Sequence, residues 1–107
     1  MTREQMELTR FEKIHLKNLL EDRISELHDI FLELTTNTQP GCFQKNVEGI
    51  LAMIQKNFSI LEKICRDLKL ASEYDRNWLK RVLQDYDSWL DKPQPPKPHE
   101  HFIFSHF

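Results

Sequence analysis

The residues with most to offer chemically stand at the end of the chain. His99, Glu100, His101 and His106 lie within "HEHFIFSH". In an extended segment His99 and His101 project to the same side, and a third imidazole could complete a zinc or copper set. A polar collar on an aromatic tail is the competing reading. No cysteine lies near, and the spacing matches no standard zinc module, so no metal is expected. His15 and His28 fall on a helical segment and read as surface or boundary residues. Glu7, Glu12, Glu21, Asp22, Glu26 and Asp29 read as charge on solvated faces, with Glu21 placed to pair with Lys17. An acid and a base need a cleft that separates their environments, and nothing in the pattern points to one. Two glycines cannot build a phosphate-cradling loop, and no Ser, Thr or Cys nucleophile has a recognisable base. A non-enzymatic protein without a cofactor is therefore expected.

Composition narrows the field further. The chain has 107 residues, 30% of them charged and 39% apolar, with a net charge of −2. That mix builds one globular domain, and it supplies no strong basic field for nucleic acid or anionic lipid. Lys13, Lys17, Arg10 and Arg23 could contact phosphates, but acids interleave with them, so direct nucleic-acid binding is not expected. The start, "MTREQMELTR", carries no apolar run, and no run is long enough to span a membrane. The expected setting is intracellular and reducing. Cys65 falls on an apolar stripe and reads as a buried free thiol, while Cys42 follows "QPG" and reads as partly exposed.

Helical periodicity runs through most of the sequence. The first segment extends from about Arg3 to Leu34, with Leu20, Ile24, Leu27, Phe31 and Leu34 at alternating steps of four and three. Its first half is broader, with Met6, Leu8, Phe11, Ile14, Leu16 and Leu19, which points to more than one neighbour. It should end in "TTNTQPG". The second segment, about Cys42 to Leu70, keeps the rhythm throughout: Val47, Leu51, Ile54, Phe58, Leu61, Cys65 and Leu68, widened by Phe43, Ile50 and Ile64. Gly49 within it suggests a close helix crossing. The third, about Glu73 to Leu90, carries Leu79, Val82, Tyr86 and Trp89, with Trp78, Leu83 and Leu90 beside them. "SEYD" resembles a capping box opened by Ser72 and closed by Asp75. The stripe register nonetheless survives that junction, so segments two and three either break near Ala71 or run on as one helix. Beyond Trp89, "DKPQPPKP" holds four prolines and reads as extended spacer or as a ligand for a proline-recognising domain.

The expected fold is all-α, a three-helix antiparallel bundle over residues 1–92. A Pro-rich linker and an extended aromatic tail occupy 93–107. Trp78, Tyr86 and Trp89 either fill the core or anchor a partner, since large aromatics do both. With Phe11 on the first helix and Phe102, Ile103, Phe104 and Phe107 on the tail, they are the candidate partner-binding residues. The expected partners are protein subunits, held through helix faces and the tail. A stripe of this kind serves self-association and binding to other chains alike.

Two stretches resemble one family. "QMELTRFEKIHLKNLLEDRISELHDIF" contains Gln-Met-Glu-Leu-x-Arg, then leucines, then Arg-Ile-x-x-Leu. It is similar to the opening helices of the Sld-five subunit of GINS, the four-subunit assembly that activates the replicative helicase. "PKPHEHFIFSHF" is similar to that family's linker end and first strand. The resemblance implies that Gln5, Met6, Glu7, Arg10 and Arg23 belong to a subunit-packing helix. It also implies that Phe102, Ile103 and Phe104 begin a β domain, and that the protein acts in the nucleus in DNA replication.

Overall fold

The computed structural model describes residues 8–41 and 43–91. Three helices account for most of them: α1 (Arg10–Asn37), α2 (Gln44–Leu68) and α3 (Arg76–Leu90), with no strand among the described residues. The all-α expectation holds.

Four of the helix boundaries have a clear local cause. At the start of α1 the Thr9 Oγ1 accepts the Glu12 N–H (3.1 Å) and the Glu12 Oε1 accepts the Thr9 N–H (2.7 Å). This reciprocal pair satisfies two donors that would otherwise be orphaned. Leu8 and Thr9 are non-helical, so the helix expected from about Arg3 begins, within the described residues, at Arg10. At its other end the Thr38 N–H donates to the Leu34 carbonyl (2.9 Å), and Pro40 and Gly41 turn the chain. Gly41 sits at φ +109°, a conformation that costs a residue with a Cβ.

α2 ends in a Schellman arrangement. The Leu70 N–H donates to the Cys65 carbonyl (3.0 Å) and the Lys69 N–H to the Arg66 carbonyl (3.3 Å). Lys69 takes the left-handed conformation (φ 58°) that glycine usually fills there. Residues 69–75 are not helical, which separates α2 from α3 despite the continuous apolar register. The cap of α3 also differs from expectation. Asp75, not Ser72, accepts from the helix, through the Trp78 N–H (2.9 Å), and α3 starts at Arg76 instead of Glu73. The Ser72 hydroxyl accepts the Tyr74 N–H (3.2 Å), ahead of the helix, and donates to Glu21 of α1 (2.7 Å).

Side-chain contacts set the directions. Lys13 near the start of α1 pairs with Asp67 near the end of α2 (3.3 Å), so the two are antiparallel. Arg76 at the start of α3 grips Glu62 with two hydrogen bonds (2.7 and 2.9 Å), while Tyr86 near its end reaches Glu48 (2.7 Å). α3 is therefore antiparallel to α2 as well. The stripes fill two connected cores. Leu27, Phe31, Val47, Leu51, Ile54, Val82 and Trp89 form one; Leu20, Ile24, Phe58, Leu61, Ile64 and Leu68 form the other. Gly49 has nothing within 4 Å of where a Cβ would stand, so no close crossing among the described residues accounts for it.

Candidate functional site

Phe11 lies on the first turn of α1 and is 85% exposed. The aromatic residues of α3 do not join it. Trp89 is buried at 1% exposure, and its indole N–H donates to the Thr38 carbonyl (2.9 Å), tying α3 to the end of α1. Trp78 is half-buried, edge-on to Tyr74 (4.9 Å between centroids) and to His28 of α1 (5.1 Å). Tyr86 is half-buried, with its hydroxyl on Glu48. The indole of Trp89 and most of Trp78 are thus committed to holding α3 in place. Phe102, Ile103, Phe104 and Phe107 lie outside the described residues, as do Cys42 and His99, His101 and His106.

The titratable groups near α3 respond to this packing. Burial pulls His28 below the ordinary imidazole range, against the raising effect of Asp29 and Asp85. Burial and the Glu48 carboxylate push the Tyr86 phenol up to about 12, and the same hydrogen bond, with help from Gln44, lowers Glu48. Cys65 is half-buried and free, and burial raises its thiol, which leaves it poorly suited to act as a nucleophile. A depression of about 340 Å³ lies beside it, bordered by Leu70, Tyr74 and the Arg76–Glu62 pair. Among the described residues, no group of three or more His, Cys, Asp or Glu side chains could hold a metal ion.

Three of the four basic residues of α1 are engaged with acids. Lys13 pairs with Asp67 (3.3 Å), Lys17 with Glu21 (3.1 Å) and Arg23 with Glu26 (3.6 Å). Each carboxylate offsets the charge that a phosphate would need. No described helix is long and apolar enough to cross a membrane.

The most distinctive surface lies elsewhere. Leu19, Ile30, Met53 and Ile60 are exposed by 38–50%, and all four lie beside the seam between α1 and α2. Their spacing explains the grouping. Leu16, Leu19, Arg23, Leu27, Ile30 and Leu34 recur at steps of three and four along α1; Ile50, Met53, Asn57, Ile60 and Ile64 do so along α2. Each is a second stripe flanking the core stripe. The opposite flank of each helix meets α3 and its lead-in, through Glu21 and His28 on α1 and Glu48 and Glu62 on α2. At roughly 100° per residue, the second stripes lie about half a turn from those contacts. Among the described residues, the α1–α2 hairpin is therefore covered by α3 on one side and carries an open apolar face on the other.

Sequence reasoning names Leu16, Leu19, Ile50 and Ile64 only as broadening of the stripes, and it passes over Ile30, Met53 and Ile60. The two flanking stripes, counted separately from the core stripes, are the signal that finds them. No family model matches the chain, and no curated protein or solved structure matches it.

Proposed function

We propose that this protein is a non-enzymatic helical interaction module, an adaptor or subunit that works by docking other protein surfaces. The observation that carries the reading is the open face of the α1–α2 hairpin, where Leu19, Ile30, Met53 and Ile60 remain exposed although both helices have already filled a core. Contiguous apolar surface of this kind marks interaction sites more often than isolated exposed residues do. Phe11 and the aromatic tail would extend the docking surface at the ends. The finer reading, a GINS-like role in a nuclear replication assembly, is supported by the resemblance of "QMELTRFEKIHLKNLLEDRISELHDIF" and "PKPHEHFIFSHF" alone.

Affinity capture from cell extract tests the proposal, using the wild type, a Leu19→Glu/Ile60→Lys variant and a chain lacking 93–107. The expected result is a defined set of proteins held by the wild type and lost by the double variant, with helical circular dichroism unchanged. An identical set on all three proteins would overturn the proposal.

A further inference from the structure

The open face has features that select its occupant, and the inference here rests on the reading that this face is a docking surface. Its length, from Leu16 to Leu34, is about 27 Å at 1.5 Å per residue, and it is two helices wide, about 20 Å. That is on the order of 500 Å² in flat projection, and the rugged accessible area is larger, approaching the roughly 800 Å² that each side of a stable interface buries. An occupant presenting two helices side by side would fit it; one helix would leave half uncovered.

Charge on the rim is asymmetric. Along the outer edge beside the α1 stripe stand Glu26 and Glu33, both exposed. Along the corresponding edge of α2 stand Lys45, Lys56 and Lys63, also exposed. The Lys13–Asp67 pair sets the register of the hairpin, which puts Arg23 level with Asn57, Glu26 near the level of Lys56 and Glu33 near that of Lys45. Asn57 already spends its amide on the Met53 carbonyl (2.8 Å), leaving its side-chain oxygen free to accept.

We propose that the occupant is a second copy of this chain, related by a twofold axis parallel to the helices. That axis lays each α1 on the partner's α2 and completes a four-helix layer with antiparallel neighbours. Leu19, Ile30, Met53 and Ile60 then close over the matching residues of the other copy. Glu26 faces the partner's Lys56, and Glu33 faces the partner's Lys45. Arg23 meets the partner's Asn57 in the middle of the seam, where a polar pair fixes register at some expense in stability. The other face-to-face twofold, perpendicular to the helices, would lay α1 on the partner's α1 and bring the acidic edges together.

Sedimentation velocity on the purified full-length chain decides the matter, with Glu26→Lys, Lys56→Glu and Leu19→Glu variants. The wild type is expected to dimerise, and Leu19→Glu to stay monomeric with unchanged helical content. Each charge reversal should weaken the homodimer about tenfold, since like charges then meet twice per dimer. An equimolar mixture of Glu26→Lys and Lys56→Glu should recover dimer, because in the mixed pair every contact is again between opposite charges. A monomeric wild type at all concentrations would overturn the inference, as would a mixture no tighter than its parts. If the monomer result came with loss of captured proteins in the Leu19→Glu/Ile60→Lys variant, the docking reading would stand with a different partner. If it came with no such loss, both would fall.

Discussion

Where α1 finishes and α2 begins, three helices close around Leu27, Phe31, Val47, Leu51, Ile54, Val82 and Trp89. At the other end Leu20, Ile24, Phe58, Leu61, Ile64 and Leu68 are enclosed mainly by two helices and by residues 69–75, with Tyr74, Trp78 and Leu79 at the margin. The cause is length. α3 has 15 residues against 28 in α1 and 25 in α2, so it can cover only part of the hairpin. The thick end gains burial from three directions. The thin end depends on one seam, on the Ser72–Glu21 hydrogen bond and on the ion pairs Lys13–Asp67 and Arg76–Glu62. Exposed pairs of this kind contribute little each. The open face runs along both ends, so whatever covers it should help the thin end most.

Truncation of one core side chain at each end sharpens this contrast. Trp89→Ala removes the largest buried side chain and its hydrogen bond to Thr38, and should cost about 3–5 kcal/mol in a denaturant melt. Leu20→Ala, at a site that can collapse more freely, should cost about 2 kcal/mol. Equal costs would contradict the distinction between the ends.

A smaller effect is expected from pH, and it belongs to the thick end. His28 lies against Phe31 and Trp78, with Asp29 beside it on α1 and Asp85 and Arg81 facing it from α3. Its folded pKa lies below the ordinary value of 6.5, so the unfolded chain takes up the proton first as pH falls. The stability contributed by neutral His28 is intact above about pH 6.5 and declines below it until the folded form also protonates. Chemical melts between pH 7.5 and 5 should show this slope in the wild type and a flatter one in His28→Gln. An unchanged slope in the variant would assign the effect elsewhere.

Much of this architecture is legible in the sequence. The core stripe of α2, Val47 to Leu68, is buried at every position but Cys65, which is half-buried. Periodicity reports burial faithfully where one helix face has one use. It fails where two constraints compete. Thr9 and Glu12 spell a capping box inside a stretch that otherwise reads as continuous helix, and the local hydrogen bonds decide the boundary. "SEYD" reads as a box capped by Ser72, yet Ser72 accepts the non-helical Tyr74 N–H while donating to Glu21, and Asp75 caps α3 instead. The open face is the harder case. Leu19, Ile30, Met53 and Ile60 sit beside buried positions, so their stripes merge with the core pattern until the placement of α3 shows which flank is covered. Trp89 shows the converse: large aromatic residues look like anchors, and here the bundle has claimed this one for its interior.

Hydroxyl-radical footprinting of the purified chain across a concentration series, read residue by residue, tests the open face most directly. The expected result is protection that grows with concentration at Leu19, Ile30, Met53 and Ile60, while Tyr86 and Leu83 on α3 keep their labelling. Protection that appears first on α3, or stays level at Met53 and Ile60 throughout the series, would contradict the account.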